Sequence, residues 1–447
     1  MLPPQPPGLL ALPYDLWPLL GLGQRDLCSL AMCCRELRAM AGAALMAQGV
    51  RVPQRLCGTL AEARWQPLEA LTLHAFPRRY GPLPAAYTYC QIPALVLPRL
   101  RRLRLEHCRL PAGFWPQVFA GCPALEDVSV VCDYFLANYA EDVHHTADLV
   151  CAGARQLRRL DIEGGWLVMY PTPLPTPFED ARKATWRVYD MAAVPCSALK
   201  EYRLANQQAP VPVDAPLERL EINEPQQAPF SAPRMGPLTL ASTRHLRWKT
   251  SADTMDAGML SGYSNLDTLE VIVESAYTAA RLTKCLGTLT GLPRGLRALR
   301  LRLDIWLLRR YPHNIGWGEG LRHLDRLEDL EIDMPFPPST TEVLLSRWMG
   351  AGAGTADGCL RRVRVSFDET AGRGYEEELD RLLVHEEADP GDESVVALRE
   401  EWARATAPMP ADGLMRWLAD HPLATVTVVN LPQLTARHPR LAVLAGG

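Results

Sequence analysis

Leu100-Arg101-Arg102-Leu103-Arg104-Leu105-Glu106-His107-Cys108-Arg109-Leu110 is the stretch from which the fold can be read. Leu103 and Leu105 are two residues apart, so in an extended chain they point the same way. Arg102, Arg104 and Glu106 point the other way. A strand this short cannot bury its apolar face alone, so the pattern demands neighbours of the same kind, stacked into a parallel sheet over a continuous core.

Those neighbours are present. The pattern of an apolar residue, two variable ones, an apolar residue, one variable and another apolar recurs from Leu68, Leu125, Leu157, Leu199, Leu217, Leu266, Leu296, Leu327 and Leu360. Weaker copies start at Thr243 and Leu423, which with Leu100 makes twelve. Successive starts lie between 18 and 63 residues apart. The copy at Leu100 matches every fixed position of the leucine-rich-repeat template LxxLxLxx(N/C)xL, whose period is about 20–29 residues. The chain therefore resembles the leucine-rich-repeat proteins. The implied fold is an α/β solenoid, with a parallel sheet on the concave face and helices and loops on the convex face.

Between strands, helices are expected over Asn138–Ala152, Ala276–Leu286 (capped by Ser275), Thr340–Met349 and Asp412–Asp420. The third opens with the capping box Ser339-x-x-Glu342. The proline-rich connections Tyr170–Pro177 and Glu224–Pro237 read as irregular. Insertions are expected at 164–196 and 368–411, the second carrying the acidic stretch Asp368–Glu401.

Composition bounds the function. The 447 residues are 48% hydrophobic and 22% charged, which suits a long folded array better than disorder. The net charge of -4 argues against general nucleic-acid binding. The twelve cysteines include no CxxC, so reduced, mostly buried thiols are expected rather than disulfides or a zinc site. Five prolines precede Asp15 and the first basic residue is Arg25, a poor match to a signal peptide. No apolar run is long enough to span a membrane. A soluble protein, cytoplasmic or nuclear, is the expectation. Lysine is scarce, with only Lys183, Lys200, Lys249 and Lys284. A GC-rich coding sequence accounts for that.

No constellation for catalysis emerges. Gly350–Gly354 is not followed by GK(S/T), Glu141, His144 and His145 do not form HExxH, and no GxSxG occurs. No enzyme activity, cofactor or metal is expected. The candidate partner surface is instead the outward side of the sheet. Arg102, Arg104, Arg203, His245, Arg247 and Lys249 are its candidate contacts, with Trp166 and Tyr170 from an aromatic, proline-rich interval. His245, Arg247 and Lys249 suit an acidic partner, with Glu221 the one evident neighbouring acid. Arg300 and Arg302, then Asp329, Glu331 and Asp333, then Arg362 and Arg364 alternate in sign and are expected to pair across strands.

Ahead of the repeats, after a flexible proline-rich stretch (1–11), residues 12–52 read as a helical segment, leaving 53–447 to the repeats. Leu12-Pro13-Tyr14-Asp15, the pair Asp26-Leu27, and Leu30, Ala31, Cys34, Arg35 and Arg38 resemble the F-box family, although Leu37 stands where that family usually has Trp. The resemblance implies docking to a Skp-type adaptor of a cullin-based ubiquitin ligase through Leu12, Pro13, Leu16, Leu20, Asp26, Leu27, Leu30, Cys34 and Leu37, with the chain as a monomer inside that complex. Its repeats would hold a protein target, with no nucleic acid or membrane involved. Read from the residues alone, the same leucines also suit a cap on the open end of the array. The function would then be an interaction scaffold or inhibitor with no ubiquitin link.

Overall fold

The computed structural model describes residues 49–53, 60, 65–74, 95–106, 108, 110, 113–131, 146–163, 192–205, 211–223, 235–251, 260, 262–275, 292–303, 324, 326–334, 359–367, 395–397, 399–400, 412–429, 434 and 437–444. These fall into two compact units, residues 1–216 with 233–236, and 217–232 with 237–447.

The first unit carries a parallel sheet of β1 (Val50–Pro53), β2 (Ala70–His74), β3 (Arg102–Glu106), β4 (Asp127–Val131), β5 (Arg159–Glu163) and β7 (Glu201–Ala205), each paired with the next. The second carries β9 (Arg219–Asn223), β10 (His245–Ser251), β11 (Thr268–Ser275), β12 (Ala298–Leu303), β13 (Asp329–Met334), β14 (Arg362–Phe367), β15 (Thr425–Val429) and β16 (Leu441–Leu444), again parallel and in chain order. A separate two-stranded ladder joins β6 (Val194–Pro195) to β8 (Val213–Asp214) within the first unit. The coarse class is thus α/β with open parallel sheets. Among the described residues no helix is long and apolar enough to cross a membrane.

Every strand read from the repeat pattern exists. Register explains why. In the first unit Leu71, Leu103, Val128, Leu160 and Tyr202 align across β2 to β7, and Leu73, Leu105, Val130, Ile162 and Leu204 align two residues on. All ten are buried. The second unit repeats the arrangement, with Leu220, Leu246, Leu269, Leu299, Leu330, Val363 and Val426 in one row and Ile222, Trp248, Val271, Leu301, Ile332, Val365 and Val428 in the other, all buried. A one-residue slip would turn both rows to solvent, so register is strongly specified.

Within each unit a backbone device ties one repeat to the next. Arg101 and Arg102 N–H both donate to Glu69 O, and Glu126 and Asp127 N–H both donate to Arg101 O, at 2.8–3.0 Å. The same shared acceptor recurs at Glu126, Arg158, Glu218, Arg244, Asp267, Arg297 and Glu328. The first template position is buried too, from Leu68 to Leu360. At Thr243 it is polar but satisfied, its hydroxyl donating to Thr239 O at 2.7 Å.

Several expectations need correction. The sheet begins at β1, which precedes the first repeat read from sequence. β16 follows the last one. Leu423, read as the first position of the final copy, is 72% exposed, and Ala424 is buried in its place. Helix α1 (Phe114–Gly121) was not foreseen. Of the helix expected at Asn138–Ala152, residues 138–145 lie outside the described residues and the rest is in α2 (Thr146–Gly153). Pro237, expected to end an irregular connection, opens α3 (Pro237–Ser242). α4 spans Asp412–Asp420 as read. The insertion expected at 164–196 ends in β6. Cys108, Cys122 and Cys196 are buried free thiols, but Cys151 is an exposed one. The helices expected over 276–286 and 340–349 lie outside the described residues.

Candidate partner-binding surface

Because strands alternate, residues between the leucines stand on the outward face, and parallel register arranges them in rows across strands. In the first unit the middle row is Arg51, Thr72, Arg104, Ser129, Asp161 and Arg203. The row before it is Ala70, Arg102, Asp127, Arg159 and Glu201, and the row after it includes His74, Glu106, Val131 and Glu163. Residues of the middle row and of the row before it line an open groove of about 370 Å³ over β1 to β5.

Arg102 and Arg104, expected from sequence to contact a partner, both line that groove. They are joined by Arg51 and Arg159, which sequence reading passed over. The signal for Arg51 was there, as Val50-Arg51-Val52, but two apolar residues are too few to stand out as a repeat. Glu106 is shared between Arg104 Nε at 2.8 Å and an Arg51 terminal nitrogen at 2.6 Å. Burial alone would push the Glu106 carboxyl up, but the hydrogen bond and charge of Arg104 and the charge and hydrogen bond of Arg51 outweigh it and hold it below the usual range. The opposite balance holds at Asp127, where burial outweighs the charges of Arg159 and Arg102 and pushes the carboxyl up. Arg203 sits at the far side of the sheet and grips Asp161 at 2.8 Å and Glu163 at 3.1 Å.

In the second unit the middle row alternates strictly in sign: Glu221, Arg247, Glu270, Arg300, Glu331, Arg364. Arg247 reaches Glu221 and Glu270, each at 3.4 Å. Glu331 takes Arg300 at 3.0 Å and Arg364 at 3.5 Å. Arg362 forms a two-pronged pair with Asp329, which pushes its own pKa up. The alternation read from sequence is therefore realised as ion pairs at Arg300, Asp329, Glu331, Arg362 and Arg364, whereas Arg302 and Asp333, though aligned, form none within 4 Å among the described residues. It also extends to Arg247, whose second acid, Glu270, was not foreseen. His245 stands one row before Arg247, beside Arg219 and Thr268, and Lys249 one row after it, beside Asn223 and Ile272. An acidic partner at this site would have to displace two carboxylates from Arg247.

The remaining sequence candidates, Trp166 and Tyr170 with the whole adaptor set from Leu12 to Leu37, lie outside the described residues. Among the described residues no group of three or more His, Cys, Asp or Glu side chains could hold a metal. No known protein-family model matches the chain, and no curated protein matches it.

Proposed function

We propose that the chain is the substrate-recognition subunit of a Skp–cullin–F-box type ubiquitin ligase, acting in the cytoplasm or nucleus. On this reading residues 12–41 dock the adaptor, and the parallel-strand units are leucine-rich repeats that hold a target protein. The protein transfers nothing itself. It raises the concentration of its target beside the transfer machinery. The observation that carries the proposal is the order along the chain: the LPxD and DL residues stand directly ahead of strands whose outward rows are polar and whose inward rows are closed.

The adaptor contact would be apolar residues of short helices seated in a groove of the partner. The test is capture of a purified Skp-type adaptor by the full chain, set against a combined Leu12→Ala, Pro13→Ala and Leu27→Ala variant. Capture by the parent chain and loss in the variant is the expected result. No capture by the parent chain would overturn the ligase role and leave a repeat-based scaffold.

A further inference from the structure

We propose that the groove over β1 to β5 binds an acidic peptide segment on its β1–β3 side, with Arg102 and Arg104 as the anchoring cations. The inference rests on the outward face being the partner surface, but not on any link to ubiquitin.

Three observations carry it. First, charge on β1 to β3 is unbalanced on this face. Arg51, Arg102 and Arg104 face one carboxylate, Glu106, which leaves 3 − 1 = 2 positive charges. Second, donors remain open. Arg102 makes no ion pair within 4 Å among the described residues, so its planar fork is available. Arg104 engages Glu106 through Nε, which leaves both terminal nitrogens. A guanidinium fork matches the two oxygens of a carboxylate or the three of a phosphate better than a lysine would. Third, there is room. In the second unit Arg247 and Arg300 of the middle row each stand between two glutamates, and Arg364 stands between Glu331 and Thr427. Here the corresponding neighbours of Arg104 are the short Thr72 and Ser129. The hydroxyl of Ser129 is shielded from water and has no hydrogen-bond partner, a deficit that folded proteins seldom leave.

The groove also has a polarity. Asp127 and Asp161 line its β4–β5 side. Asp161 is already held by Arg203, but Asp127 is not held by any ion pair within 4 Å among the described residues. An incoming anion is therefore repelled from β4 and drawn over β2 and β3, beside Arg102 and the terminal nitrogens of Arg104, because Glu106 already occupies the space between Arg104 and Arg51.

The test is fluorescence anisotropy on the full chain with three labelled peptides of otherwise identical sequence. One carries three consecutive glutamates, one carries glutamines in their place, and one carries a single phosphoserine among the glutamines. Binding of the glutamate or the phosphoserine peptide at least tenfold tighter than the glutamine peptide is expected, and the tighter of the two names the source of the charge. Arg102→Gln should weaken that binding at least tenfold. Thr72→Glu, which installs the pattern of the second unit, should do the same and serves as the readout if Arg102→Gln fails to fold. Arg300→Gln should leave it unchanged. Equal binding of all three peptides, parent-like binding by both groove variants, or equal weakening by Arg300→Gln would each overturn the site. None of these results bears on adaptor capture, so failure here and failure of the ligase reading are separable.

Discussion

Two carboxylates one strand apart show how the outward face balances desolvation against charge. The Glu106 carboxyl is held below its usual range by Arg104 and Arg51, so it favours the folded state once ionised. Its contribution is present above the unfolded carboxylate value and lost as pH falls through the depressed folded value. Asp127 runs the other way. Its folded pKa is raised, so its favourable contribution belongs to low pH, is lost as pH rises through that raised value, and turns into a cost at neutrality. Urea unfolding of the full chain at neutral pH should therefore separate them. Glu106→Gln is expected to cost about 1 kcal/mol or less, because both arginines are half exposed and such pairs are weak. The cost should shrink as the pH is lowered into the carboxylate range. Asp127→Asn is expected to cost nothing at neutral pH or to raise the midpoint. A loss on Asp127→Asn as large as that on Glu106→Gln would mean that Arg102 and Arg159 outweigh burial there.

Helix α1 shows what an element needs beyond its own propensities. Gly113 stands just before it with φ of 71°, a conformation glycine adopts without strain. Pro116 sits in the first turn, where its missing N–H is not required. At its end, Gly121 O accepts from Leu97 N at 3.1 Å, and the Cys122 thiol lies 3.6 Å from Leu95 O. The fit is so close that a Cβ on Gly121 would fall 2.0 Å from Leu95 O. Since that obstacle is backbone, Gly121→Ala is expected to destabilise the first unit by about 2 kcal/mol or more, read from its urea midpoint. An unchanged midpoint would show that the 95–97 segment can move aside. This packing also explains why sequence reading missed the helix. Gly113, Pro116 and Gly121 look like breakers until the 95–97 segment is in place. α4 was legible because its amphipathic stretch needs no such partner to be recognised. The strands β2 to β5, β7 and β9 to β15 were legible because alternation is written into each of them. β6 and β8 have two residues each and carry no period, and three of the four residues of β16 are exposed, so it shows no apolar alternation.

At the scale of the molecule, two kinds of row compete to explain what holds each unit together. The outward rows contain many ion pairs, but their side chains are largely solvated, and each such pair contributes about 0–1 kcal/mol. The inward rows are closed, and truncating one buried leucine to alanine costs about 2–5 kcal/mol. The candidate surface was half legible for the same reason. Sequence places an arginine on the outward face, but only register across strands says which carboxylate meets it, as with Glu270 against Arg247 or Glu106 between Arg51 and Arg104. The inward rows should therefore set stability, leaving the outward rows available for recognition. Raising salt from about 0.1 M to about 1 M shortens the screening length from about 10 Å to about 3 Å. Thermal melting of the full chain across that range should shift by a few degrees at most. Leu103→Ala in the first unit and Leu301→Ala in the second should each lower the urea midpoint of the full chain by far more than Glu331→Gln, which deprives both Arg300 and Arg364 of a charged partner. If high salt or Glu331→Gln matched the leucine truncations, the charge rows would be structural. Their arginines would then be committed to the fold, and the outward face of the second unit could not be surrendered to a partner without unfolding it.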